Sequence, residues 1–383
     1  MTQAVTLRGI TWNHSRGLTP LVATAQRLSD EHPHLSIDWR VRSLRDFGDF
    51  PIERLVDDFD LLIIDHPFAG YAAAHDVLIP LDQHLPADLL ADLAAHSVGR
   101  SYESYLAGGH LWALPVDAAT PVAGWRADLL ARAGDGVPET WDDLLALARR
   151  GLVAVACAPV DALMNLYLLS LALGEEPFTR DGRVVSQVTG VAALERLREL
   201  VSLAGPENID RNPIRTWEAI ARGSTVAYCP FAYGYSNYGR RDYTEHPLTF
   251  GPLVTLGGRR LRSTLGGTGL AISSRCRELE SALAYVAYTG SRACQMGLYT
   301  VSSGQPGHRA AWEDEGLNHL CGGFFRDTLS TLDEAYLRPR YAGYIPFQDH
   351  AGDVVRDYLR DGGDAAATVE SVNALYRASV ADA

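Results

Sequence analysis

The sequence predicts an α/β protein built as two lobes, and three observations carry that expectation. Short apolar runs alternate with longer helical patterns over Val5–Ile64, and the alternation resumes from Gly151. The 383-residue length exceeds that of one ordinary domain. No shift of composition marks a linker, so the chain is expected to cross between lobes more than once. Acidic residues outnumber basic ones by 47 to 34, and the net charge of −13 repels a phosphate backbone, so no nucleic-acid partner is expected. All 34 basic residues are arginine. A lysine-free chain has no side-chain amine for Schiff-base or pyridoxal chemistry and no P-loop or kinase lysine.

Val5–Ile10 reads as a strand, and Leu18–His32 as an amphipathic helix ended by Pro33. Leu35–Val41 and the nearly all-apolar Phe59–Ile64 read as further strands, separated by a segment with a short helix; runs of the second kind belong inside a parallel sheet. In Pro138–Asp143, Thr140 can cap a helix while Asp143 reaches back to it, and Leu144, Leu145, Leu147 and Ala148 give that helix a buried stripe. Gly151–Cys157 reads as a buried strand, 161–173 as a helix, Arg180–Arg183 as a hairpin-like turn, Val191–Leu203 as a helix and Ser224–Cys229 as a strand. Leu261–Ser273 holds Gly266-Gly267-Thr268-Gly269 ahead of another strand, a long helix starts at Glu278, and the remainder is mostly helical.

Five segments, in order, resemble the family 1 extracellular solute-binding proteins, the carbohydrate-binding subunits of ABC importers. FDLLIIDHPFAGYAAAHDVLIPLDQHL (Phe59–Leu85) is similar to the family's strand, surface helix and "G-x-L-x-pL-d" ending, with Asp76 where glycine is usual. Gly109–Pro115 resembles its "G-k-l-y-g-v-P" crossing. WRADLLARA (Trp125–Ala133) and PETWDDL (Pro138–Leu144) resemble "Y-n-k-d-l-f-k-k-a" and "P-x-T-W-d-e-l", and Gly266–Ser273 resembles "G-G-x-x-l-a-i-s". The resemblance implies a two-lobe α/β fold of the periplasmic-binding-protein type II, with a ligand cleft between lobes joined by hinge crossings and closure on binding. It implies a first lobe of 1–117 and 263–310, and a second of 118–262 and 311–383 with the C-terminal helices.

Strand ends in open α/β lobes point toward ligands, so residues just past each apolar run are the candidate contacts. After the first strand come Trp12, Asn13, His14 and Arg16; after the third come Asp65 and His66; Asp117 follows the Pro115 crossing. Asp65 fits a helix cap as well as a ligand contact. His14 and His66 fit structural positions, or an acid–base pair with Asp65 or Asp117 as orienting group in an enzyme built on the same scaffold. Asp161 stands where a helix begins and fits a cap as well as a contact. Phe231, Tyr233, Tyr235 and Asn237 combine stacking faces with a hydrogen-bonding amide, which suits a sugar or flat ring. Gly267 and Thr268 fit either a backbone approach to ligand or a turn. The expected activity is hinged capture of a small, carbohydrate-like solute, with the cytoplasmic enzyme as the alternative.

H-E-x-x-H, G-x-S-x-G and C-x-x-C are absent from the sequence, and no cofactor or metal is expected. The five cysteines fit reduced, mostly buried thiols. The start MTQAVTLRGITWNHSRG lacks the basic and apolar regions of a secretory leader, so a cytoplasmic location is expected, with an ABC permease as partner only if the protein is exported. No apolar run reaches membrane-span length, so no direct membrane insertion is expected.

Overall fold

The computed structural model describes residues 4–49, 51–179 and 182–381. The chain divides into two compact units, 1–119 with 266–318 and 338–345, and 120–265 with 319–337 and 346–383. Eight strands build the two larger sheets: β1 (Val5–Trp12), β2 (Leu35–Arg42), β3 (Leu61–Ile64), β4 (Leu114–Ala119), β5 (Pro121–Trp125), β6 (Tyr228–Tyr233), β7 (Thr249–Gly251) and β8 (Gly266–Ile272).

In the first unit the strand order is β2-β1-β3-β8-β4. β1 runs parallel to β2 and β3, whereas β8 runs antiparallel to both β3 and β4. The carboxyl ends of β1, β3 and β4 therefore share one edge of the sheet with the start of β8. All four residues of β3 are at most 1% exposed. Burying four such side chains contributes roughly 1.5–3 kcal/mol each, which is why the run takes the central position. Gly267 holds φ +107°, and a Cβ there would stand 2.4 Å from the Asp117 carbonyl oxygen, so only glycine lets β8 lie this close to β4.

The first helix begins earlier than expected, at Ser15, and runs to Glu31. The cause is local: His14 Nδ1 accepts the Arg16 amide at 3.0 Å and caps it. Arg16 thus sits on a helical turn instead of in a loop. A side chain on Gly17 would collide with the Trp12 ring, 2.5 Å from its Cβ position. The segment 338–345, expected in the second lobe, belongs to the first unit. It is held there by Arg338 on Asp65 and by Arg340 donating to the carbonyls of Glu103 and Leu106.

The second unit has an antiparallel sheet of order β6-β5-β7. Its helix Trp141–Arg149 carries the expected box, with Thr140 Oγ1 accepting from Asp143 N and Asp143 Oδ2 from Thr140 N. Two strand expectations shift. Ser224–Cys229 gives way to a strand from Tyr228, and Gly151–Cys157 is no strand: Gly151 is exposed, and Val153–Cys157 is a buried run with one bridge, Val153 to Tyr228. Its backbone is satisfied elsewhere: Val155 N donates to Asn208 Oδ1 at 2.9 Å and Cys157 N to the Arg211 carbonyl at 2.9 Å. An amide side chain takes the place of a neighbouring strand, which periodicity cannot reveal. The helix Pro159–Ala172 is buried at every residue from Asp161 to Ser170, as a helix apolar on all sides must be. The turn expected at Arg180–Arg183 lies partly outside the described residues. Among the described residues, no helix is long and apolar enough to cross a membrane.

Asp76, where the resembling family has glycine, ends the helix Phe68–His75 with φ 50°, ψ 35°. Aspartate tolerates this left-handed conformation better than most residues but still at a cost. Asp76→Gly is expected to raise stability by about 0.5–1 kcal/mol, read as a higher urea midpoint at unchanged slope.

Candidate functional site

The topology brings most of the polar residues singled out above to one edge of the first unit's sheet. Arg16 lies across the end of β4 and donates to Asp117 through Nε at 2.8 Å and Nη2 at 2.5 Å, with both side chains at most 4% exposed. Burial pushes the Asp117 carboxyl up, and the two-point contact with the Arg16 guanidinium opposes that shift. The Arg16 guanidinium also lies 5.9 Å from the Trp12 ring centroid, and that ring packs at 5.3 Å on Phe47.

Beyond β3, Arg338 Nη2 donates to both oxygens of Asp65, at 2.7 and 2.8 Å. Asp65 also accepts the His66 amide at 2.8 Å, and His66 Nδ1 stands 3.3 Å from the same carboxylate. Burial alone would raise the Asp65 carboxyl, but Arg338 and the bonds with His66 hold it well below the usual range. Neither of the two uses foreseen for Asp65 is its first one: it is the counterion of a buried arginine. The helix after it is capped at Pro67. Tyr105 closes this corner, its ring edge-on to His66 at 6.5 Å and its hydroxyl donating to the Ile64 carbonyl at 3.3 Å. Arg338 and Tyr105 went unrecognised in the sequence. Nothing in local spacing joins position 338 to position 65.

Among the described residues, the buried polar atoms at this edge without a hydrogen-bond partner include Trp12 Nε1, His66 Nε2 and Thr268 Oγ1. A buried polar atom left unsatisfied costs roughly 1–3 kcal/mol, so such atoms mark places for a missing partner. Asn13, by contrast, is exposed, and its amide donates to the Arg42 carbonyl at 2.8 Å.

The two imidazoles do not make an acid–base pair for neutral pH. Burial, reinforced by Arg16, pushes His14 down to about 3, and burial with Arg338 pushes His66 down to about 4. Both are neutral at pH 7, and His14 spends Nδ1 on its cap, so neither is matched to the pH at which it would have to exchange protons.

The second unit has its own set. Asp161 is the third residue of its helix, whose cap position is Ala158, and burial pushes the carboxyl up to about 8, so it is an un-ionised acid at neutral pH. Asn165 Nδ2 donates to the Ala156 carbonyl at 2.9 Å. Phe231, expected at the ligand, is fully buried with its ring stacked on Trp141 at 6.4 Å and 8°, and so serves the core. Tyr235 and Asn237 are buried as well, and Tyr233 keeps part of its surface exposed while its hydroxyl meets Thr264 Oγ1 at 3.0 Å.

The pH dependence of stability follows from these shifts. His14 and His66 in the folded chain bind protons less readily than at their ordinary 6.5, so their contribution is full above pH 6.5 and is lost as pH falls toward 4. Replacing both with asparagine is expected to flatten that loss by on the order of 1–3 kcal/mol in urea titrations across pH 7 to 4. Asp161 has the opposite sign: its raised value favours the folded state at low pH, and that contribution is lost as pH rises from 4 toward 8. Asp161→Asn is therefore expected to stabilise by about 1–3 kcal/mol at pH 8 and to change little at pH 4; an effect of equal size at both would show that Asp161 is already ionised.

Residues 54–313 match the family model described as bacterial extracellular solute-binding protein. A comparison with curated proteins gave no match. Among solved structures, maltose-bound MalE3 of T. maritima matches with a TM-score of 0.84 at 19% identity, over 98% of this chain and 99% of that one. An ABC-transporter solute-binding protein of Agrobacterium radiobacter K84 in complex with ribitol matches at 0.80 and 18%, over 98% and 99%. The GacH receptor of Streptomyces glaucescens matches at 0.78 and 18%, over 99% of both chains. At such identities the structural likeness shows the two-lobe sugar-binding-protein fold and no more. The family match spans 54–313, well over half of the sequence, and the chain belongs to the bacterial extracellular solute-binding proteins.

Proposed function

We propose that this protein is the solute-capturing subunit of an ABC importer and that its ligand is a neutral, polyhydroxylated small molecule, a sugar or sugar alcohol. The observation that carries this reading is the charge balance at the sheet edge of the first unit. Arg16 is matched by Asp117 and Arg338 by Asp65, so each buried cation there has a buried anion against it. What the edge offers instead includes an indole N–H, a threonine hydroxyl and an imidazole nitrogen, none with a partner among the described residues. Hydroxyl groups both donate and accept, and they satisfy such a mixed set without bringing a charge. A carboxylate or ammonium ligand would have to break an ion pair or be buried beside one. The sugars and polyols bound by the similar structures support the same class. Import requires the protein on the outer side of the membrane, in place of the cytoplasmic location that the sequence led us to expect.

Titration calorimetry against neutral sugars and polyols, with uronic acids and amino acids as charged controls, tests the ligand class. Saturable binding at about micromolar Kd is expected from a neutral member, weakened at least about 10-fold by Trp12→Phe, which keeps a ring but removes the N–H donor. Binding confined to a charged solute would overturn the assignment. Fractionation of the native host with antibody detection tests the location, and a purely cytosolic pool would remove importer function.

A further inference from the structure

Away from the edge just described, Asp92, His96 and His308 bring one ligand atom each to within 4.8 Å of one another. It is the one such cluster among the described residues. We propose that these three side chains form a binding site for a zinc-class divalent transition metal. Asp92 and His96 lie four residues apart on the helix Ala87–His96, so they share a face, and His96 Nδ1 stands 2.7 Å from Asp92 Oδ1. His308 comes from 216 residues beyond Asp92, with Nε2 3.2 Å from Asp92 Oδ2. In a tetrahedral site with metal–ligand bonds of about 2.0–2.2 Å, ligand atoms stand roughly 3.3 Å apart; His96 and His308 meet different oxygens of Asp92, at 2.7 and 3.2 Å, so seating an ion requires the shorter contact to lengthen by about half an ångström.

The backbone around the third ligand is fixed. His308 pairs with Ser97 in an isolated antiparallel bridge, Val98 N donates to the Gly307 carbonyl at 2.9 Å, and Gly307 N donates to Gln295 Oε1 at 2.8 Å. Leu93, fully buried, anchors the helix that carries the other two ligands. The His308 side chain is 1% exposed while those of Asp92 and His96 are 32% and 57% exposed, which gives an ion a route from solvent to a half-buried site. Two imidazoles and one carboxylate leave at least one position for water and suit zinc or cobalt over calcium or magnesium.

Without metal, His308 Nδ1 accepts the Ala310 amide at 3.1 Å, so the ring proton resides on Nε2 and is shared with Asp92. Binding moves that proton to Nδ1 and releases the Ala310 amide, so the site trades one helix-cap bond for a metal bond. Nothing in this site depends on the identity of the transported solute.

Calorimetric titration of chelator-treated protein with zinc, and the visible absorption of cobalt, test the site. One equivalent is expected to bind, with tetrahedral cobalt bands and a raised thermal midpoint. His96→Ala, at an exposed helix position, should weaken binding at least about 10-fold while leaving the metal-free midpoint unchanged. His308→Gln should weaken binding to a similar extent, with a lower metal-free midpoint because the Ala310 amide loses its cap. No saturable binding at roughly 100-fold zinc excess, or equal affinity in the His96→Ala/His308→Gln double variant, would overturn the proposal.

Discussion

A guanidinium stays charged at any pH a protein meets, so each one that folding buries needs an anion buried with it. Arg16 and Arg338 impose that constraint on the first unit. The two-point contact of Arg16 with Asp117 fixes the opening turn of the first helix against the end of β4. Arg338 on Asp65 does more, because it draws residues 338–345 back to a sheet whose strands were laid down before residue 273. Removing one partner would leave an unpaired buried charge, a loss of roughly 3–5 kcal/mol. The late return of the chain is therefore a consequence of electrostatics as much as of packing. The same pairing leaves the surrounding polar atoms for uncharged partners.

Where a pattern rests on neighbours in sequence, it was legible. The run of β3, the Thr140–Asp143 box and the order of the five family-like segments depend on residues within a few positions of one another. The strand ends that carry Trp12, Arg16, Asp65, His66 and Asp117 were legible in the same way; that they meet at one sheet edge follows from the strand order. What those residues do there was not legible, since each has a partner far away: Asp117 lies 101 residues from Arg16 and Asp65 lies 273 from Arg338. The Asp92–His96 spacing on one helix face was readable, but without His308 it was two residues of an ordinary exposed face.

Two misreadings have one cause. Gly151–Cys157 and Phe231 were both taken at the value of their apolar or aromatic character. In the folded chain the first is buried from Val153 onward without a ladder, its amides answered by Asn208 and the Arg211 carbonyl, and the second is stacked on Trp141. Hydrophobicity says that a segment is inside; it does not say which polar group will satisfy the backbone there, nor whether a ring faces core or ligand.

The absence of lysine reaches beyond the reactions it excludes. Every side-chain cation in the ion pairs is a guanidinium or an imidazole, so no pair with a carboxylate falls apart through loss of an ammonium proton near pH 10. The alkaline limit of this fold passes instead to its buried thiols and phenols, since burial pushes up Cys157, Cys229, Cys294 and Cys321 as well. Tyr105, Tyr285 and Tyr299 are buried and resist ionisation, while in the unfolded chain they ionise near their ordinary value. Base would thus unfold the protein by drawing thiolate and tyrosinate into solvent, with its arginine–carboxylate pairs still charged on both sides.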